Sequence, residues 1–178
     1  MENLAIEAIR KFTDEAMKDT SILRRSMKVV VEWNMDPAKP QMTSRLEFAK
    51  GTAVLDCDQI PIMGGQGRAV NPIQYCLLGT ATCFAGTFAA VAAEKNIEIG
   101  ALTVAVENKM NLSQPLGLSE EPTVEGVSVT VNVESSAPAA EIEECQRLAL
   151  ARCPGIYCIT RPIPLEALLV TAAASPTA

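Results

Sequence analysis

Histidine is absent from this chain, and its absence removes much catalytic chemistry. No Ser-His-Asp triad, no Cys-His dyad and no histidine-ligated zinc or haem can be assembled from it alone. Aromatic residues make up only 4%, and 15 basic residues face 21 acidic ones, so stacking platforms and basic stripes for nucleic acid are both missing. The resulting net charge of −6 chiefly supports solubility. None of the 6 cysteines forms a C-x-x-C pair, which leaves a zinc ribbon or a thioredoxin-type motif unsupported. The N-terminus, MENLAIEAIRKF, lacks a basic region followed by an apolar run, so no secretory leader is expected. A reducing, cytoplasmic setting with free thiols is the expectation.

Charge is also missing locally. Between Arg68 and Glu94 no residue carries one, and Cys83 sits near the middle of that stretch. Such a run is long enough to cross a bilayer. Its bulk comes from alanine, however, and Asn71, Gln74, Thr80, Thr82 and Thr87 interrupt it. On hydropathy grounds it reads as a core helix buried on nearly every side, with no membrane partner. Asn71-Pro72 supplies a cap and a first-turn proline, and the helix should run to Lys95-Asn96.

Around this helix the 178 residues are enough for one domain with a buried core. Leu4, Ala5, Ala8, Ile9, Phe12 and Ala16 recur at helical spacing, which predicts an amphipathic helix over 2–18. Strands are predicted over Met27–Trp33, Met42–Ala49 and Thr52–Cys57, with Lys50-Gly51 as a hairpin turn. Further strands are expected over Ile99–Val106 and Val124–Glu134, the second with Val127, Val129, Val131 and Val133 on one face. Ser136 is expected to cap a helix over 138–152, and a last strand is predicted over Ile163–Val170. This order defines an α+β architecture. It divides into an N-terminal helical extension (1–20), a main domain (21–170) and a disordered tail (171–178).

Thiols are the nucleophiles left. Cys83 lies inside the uncharged helix, and Cys153, followed by Pro154, ends the later one. Cys76 lies two helical turns before Cys83 on roughly the same face, and Cys158 follows Cys153 closely. These two are accessory thiols that could resolve an oxidised partner or bind a soft metal; each could equally be a small buried apolar residue. Gly64-Gly65-Gln66-Gly67 is not a phosphate loop, since no Gly-Lys-Ser/Thr follows it. Glu141, Glu143 and Glu144 read as a solvated helix face favourable to the helix dipole.

Asn71-Pro72-x-Gln74 leading to Ala81-Thr82-Cys83-Phe84, with the glycine-rich loop before it and Cys153-Pro154 after, resembles the OsmC/Ohr family over roughly residues 27–170. The resemblance implies an intertwined homodimer whose antiparallel sheets wrap around two central helices per subunit. It also implies a thiol-dependent peroxidase acting on organic hydroperoxides. Cys83 would attack, Cys153 would resolve, and a dithiol reductant of protein or lipoyl type would restore both, with no metal or organic cofactor. The attacking thiolate needs a cation beside it, for which arginine suits best. Arg45 is the first choice and Arg68 the second. Tyr75, Leu78 and Phe84 would line a pocket for an apolar peroxide tail. The chain departs from the family pattern at Ile73, where an acid that holds the arginine is expected. That departure keeps two alternatives open: an OsmC-fold protein that binds a small hydrophobic ligand without peroxidase activity, or one that handles sulfur or a soft metal.

Overall fold

The computed structural model describes residues 3–171. Its regular elements are α1 (Ile6–Lys18), β1 (Val31–Trp33), β2 (Met42–Phe48), β3 (Gly51–Cys57), α2 (Pro72–Glu94), β4 (Ala101–Met110), β5 (Val124–Glu134), α3 (Ala139–Arg152) and α4 (Pro154–Thr160). The class is α+β, with two antiparallel sheets: β1-β2-β3 and the long hairpin β4-β5.

Helix α2 organises the rest. Asn71 Oδ1 accepts from the Gln74 amide at 2.9 Å and Gln74 Oε1 accepts from the Asn71 amide at 3.2 Å. This capping box, with Pro72 at the first turn, satisfies donors that a helix start leaves unpaired and stabilises it by about 1 kcal/mol. Thr80, Phe84, Phe88, Val91 and Ala92 follow at helical spacing and are the buried residues of the helix. Phe84 and Phe88 are fully buried with ring centroids 6.4 Å apart. Cys145 and Ala149 of α3, together with Ile97, Cys153 and Ile156, complete this cluster, and Val129, Val131 and Val133 of β5 pack on it.

Several expectations need correction. Helix α2 is buried along one face only. Leu78 is 54% exposed, and Gly79 and Gly86 have nothing within 4 Å of where a Cβ would stand. Among the described residues, β4, α3 and α4 give α2 most of its cover, α1 adds a little, and the face around Leu78, Gly79 and Gly86 is left open. Helix α1 starts at Ile6, with no side-chain cap at Ala5. The strand predicted from Met27 shrinks to Val31–Trp33, since the ladder ends at Val31↔Ser44 and the Ser44 hydroxyl donates to the Val30 carbonyl at 2.8 Å. Phe48 pairs with Gly51, so the hairpin turn is Ala49-Lys50. Strand β4 runs on to Met110 because β5 offers it a partner along its whole length. Ser136 does not cap α3; Ser135 Oγ accepts from the Ala137 amide at 3.1 Å and donates to the Glu98 carbonyl at 2.6 Å. No strand forms over Ile163–Val170: the segment meets no strand edge, and Leu165 and Val170 are about nine-tenths exposed. Instead α4 follows α3 directly, because Pro154 occupies its first turn, where a missing N–H is harmless. The expected tail lies, beyond Thr171, outside the described residues.

Candidate active site

Cys83 and Cys153 come together where α2 meets the junction of α3 and α4. Cys153 ends one helix and begins the next, and only 1% of it is exposed. Its position follows from the sequence: Pro154 cannot continue α3, so the chain turns at Cys153 and α4 doubles back onto α2. The turn is held by the Cys153 amide donating to the Ala149 carbonyl at 2.9 Å and the Tyr157 amide donating to the Cys153 carbonyl at 3.0 Å.

Gly155 makes the approach possible. A Cβ on it would lie 3.1 Å from the Cβ of Cys83, 3.4 Å from the Cα of Thr80 and 3.5 Å from the Cys83 sulfur. With no side chain there, the Gly155 amide donates to Cys83 Sγ at 3.4 Å. Burial pushes the Cys83 thiol above its ordinary range. The Gly155 amide opposes that shift, while the Cys153 thiol beside it and the more distant Cys158 add to it. Cys83 is therefore half-buried, directed at one backbone donor, and accompanied by a second thiol. Nearby, Thr80 Oγ1 donates to the Cys76 carbonyl at 3.0 Å and Thr87 Oγ1 donates to the Cys83 carbonyl at 2.9 Å, so neither hydroxyl spends its proton on the sulfur.

The other thiols divide. Cys158 is exposed on α4 and close enough to act on Cys83. Cys76 is exposed and acts instead on Cys57, whose thiol burial raises first and the charges of Asp58 and Cys76 raise further. Cys145 is part of the core. All six cysteines are free thiols. Among the described residues, no three Cys, Asp or Glu side chains are grouped to hold a metal ion.

No arginine is among the groups that shift Cys83. Arg45 stands exposed on β2, opposite Val54, in no ion pair among the described residues. Arg68 donates from Nη1 to the Pro37 carbonyl at 2.8 Å. Arg152, at the end of α3, is held by Glu94 at 2.7 Å. The structure thus brings the two expected cysteines together in one chain but brings neither expected arginine to them.

Nor do Tyr75, Leu78 and Phe84 line one cleft. The Tyr75 hydroxyl donates to the Asp56 carbonyl at 2.8 Å, Leu78 is on the open face of α2, and Phe84 is in the core. Phe84 does line a cleft of about 550 Å³ with Val129, Ile156 and Ile159, and a second cleft, of about 340 Å³, is walled by Ile73, Cys76, Leu77, Thr80, Val127 and Ile159 among others. The smaller one reaches Thr80, one helical turn from Cys83. Ile73, at the position of the expected acid, is part of its apolar wall.

Asp58 was not legible as a site residue. It is 1% exposed at the end of β3, and its Oδ2 accepts from the amides of Arg68 at 2.9 Å and Gln66 at 3.2 Å. Those backbone donors, led by Arg68, hold its carboxyl below the usual range against the opposing effect of burial. Its Oδ1 has no partner among the described residues. Asp58 thereby folds the glycine-rich loop back on itself, at a point where a Cβ on Gly65 would fall within 1.8 Å of the Gln59 carbonyl oxygen. The loop delivers the chain to the α2 cap, and the Asp58 amide donates to the Val70 carbonyl at 3.2 Å.

The family model for OsmC-like proteins matches residues 65–167, which takes in α2, the β4-β5 hairpin, α3, α4 and both site cysteines. The chain belongs to the OsmC-like family. Solved structures of similar fold include an OsmC-like protein from Mycoplasma pneumoniae, at 20% identity and TM-score 0.57, covering 76% of this chain and 87% of that one. An organic hydroperoxide resistance protein OsmC from Legionella pneumophila matches at 20% identity and TM-score 0.56, covering 77% and 92%. An organic hydroperoxide resistance protein from Elizabethkingia anophelis, with thiocyanate bound, matches at 15% identity and TM-score 0.54, covering 77% and 91%. A search of curated proteins finds none that matches.

Proposed function

We propose that this chain reduces organic hydroperoxides through the Cys83–Cys153 pair. The observation that carries the reading is the pairing itself: a half-buried thiol facing a backbone donor, with a second, sealed thiol beside it. The Cys83 thiolate attacks the outer oxygen of the peroxide, the O–O bond breaks, the alkoxide leaves and takes a proton, and Cys83 becomes a sulfenic acid. The Cys153 sulfur then displaces hydroxide, which leaves as water, and a disulfide joins the two residues. A dithiol, of protein or lipoyl type, returns two electrons and restores both thiols. The electrons come from that reductant, so the cycle calls for no resident cofactor or metal. The apolar cleft that Thr80 helps to line suits a hydrocarbon tail on the peroxide.

Assembly belongs to the same proposal. The open face of α2 around Leu78, Gly79 and Gly86 is apolar and unpaired in one copy, which supports a homodimer. Assembly also offers Arg45, exposed and in no ion pair among the described residues, a route to serve as the cation that one chain does not bring to Cys83. The site of action under this reading is the reducing cytoplasm.

A second reading has one specific observation in its favour. Ile73 makes the cleft wall apolar where an acid would anchor an arginine, and this fits a protein that binds a small hydrophobic ligand without turnover. The two readings separate in a titration of free thiols after one equivalent of cumene hydroperoxide. Loss of two thiols per chain, mapped to Cys83 and Cys153, supports the peroxidase. Retention of all thiols supports the binder.

A further inference from the structure

Once the Cys83–Cys153 disulfide forms, a reductant has poor access to it. Cys153 is 1% exposed, and Cys83 lies beneath the start of α4. Cys158 is differently placed. It is exposed on the same short helix, three residues after Gly155, the residue whose backbone touches Cys83. Three residues of helix advance about 4.5 Å and return to a neighbouring side, so Cys158 lies within one turn of the contact that Gly155 makes with Cys83. Ile159, its neighbour, lines the adjoining cleft together with Thr80 and Cys76 of α2, and α4 packs against α2. Helix α4 is lightly anchored: Ile156 is its one buried residue, and the segment after it pairs with no strand among the described residues.

We infer that Cys158 is the exit thiol of the site, which takes the disulfide from the buried pair and presents it to the reductant. This rests on the peroxidase reading of Cys83 and Cys153. The Cys158 thiolate attacks the Cys83 sulfur, and a Cys83–Cys158 bond forms as the Cys83–Cys153 bond breaks. Cys153 leaves with the bonding pair and takes a proton from solvent. A dithiol then attacks the exposed Cys158 sulfur and Cys83 leaves as the thiolate. The second thiol of the reductant closes its own disulfide and releases Cys158, so two electrons pass from reductant to protein. No net charge or oxidation state changes in the exchange itself, which makes it a step of geometry and access.

The test uses the full-length protein, wild type and Cys158→Ser. Each is oxidised in two ways: with one equivalent of cumene hydroperoxide, and with diamide, which oxidises thiol pairs without a peroxide. Disulfides are trapped in acid and mapped by mass spectrometry, and the rate of re-reduction by dihydrolipoamide is followed. The inference predicts a Cys83–Cys158 disulfide alongside Cys83–Cys153 in the wild type, and re-reduction slower by about tenfold or more in Cys158→Ser. Equal re-reduction rates with no Cys83–Cys158 species overturn it. A failure of the peroxidase reading looks different: the hydroperoxide leaves every thiol free, while the diamide arm still reports whether Cys158 exchanges with the buried pair.

Discussion

The amide of Gly155 faces the sulfur of Cys83 across 3.4 Å, and a Cβ at Gly155 would lie 3.1 Å from the Cβ of Cys83. The contact joins the last helix of the domain to the middle of its longest one. It fixes where Cys153 sits, because Cys153 is the first residue of the same turn.

Gly155→Ala therefore pushes α4 off α2. The expected outcome is a loss of about 1–3 kcal/mol of stability from overpacking. The rate at which Cys83 and Cys153 form a disulfide falls further, on the order of 10²-fold, because a displacement near 1 Å misaligns the sulfurs. Denaturant unfolding and rapid-quench disulfide mapping read the two effects separately.

The raised Cys83 thiol gives a pH dependence with a definite sign. Burial disfavours the thiolate, so the reactive fraction at neutral pH is small and grows by about tenfold per pH unit until the thiol titrates. Alkylation of Cys83 by iodoacetamide in Cys153→Ser should accelerate continuously from pH 6 to about 9, the ordinary thiol region. A rate that is flat above pH 7 would show that a cation, of the kind proposed for Arg45, has lowered the thiol in the assembled protein.

Asp58 makes an acid-side prediction. Its carboxyl titrates lower in the folded chain than in the unfolded one, with the Arg68 amide as the leading cause. The stability it contributes is present above the unfolded value of about 3.9 and is lost as pH falls through the lower, folded value. Asp58→Asn should lower stability at pH 7 and flatten the pH dependence below about 4. Thermal melts of both proteins across that range check it.

The open face of α2 predicts association. Leu78→Glu places a charge on the exposed apolar face and should turn a dimer into a monomer in sedimentation, with little change in the single-chain helix content. A Leu78→Glu protein that sediments as the wild type does would remove this face from the interface.

Local signals carried much of this fold into the sequence. Asn71, Pro72 and Gln74 announce the start of α2 because the capping box needs only neighbours in the chain. The valines of β5 declare their face by alternation, and those at 129, 131 and 133 do reach the core. Helix α4 was hidden because Pro154 marks the end of α3; it also opens the next helix, whose place is set by Gly155 against Cys83, far away in sequence. Asp58 was hidden because its partners are backbone amides, which no residue type reveals. Cys76 shares a helical face with Cys83 by spacing, yet β3 brings Cys57 to it. Ile163–Val170 has the composition of a strand, and composition does not say whether an edge is available to pair with.

The most direct measurement is the consumption of cumene hydroperoxide with a dithiol reductant by wild type, Cys83→Ser and Cys153→Ser. The account predicts catalytic turnover in the wild type, none above background in Cys83→Ser, and slower turnover in Cys153→Ser, where the sulfenic acid is left to Cys158 or to the reductant itself. Wild-type consumption no faster than that of Cys83→Ser would contradict it, and the cleft beside Thr80 would then be the place to look for a bound ligand.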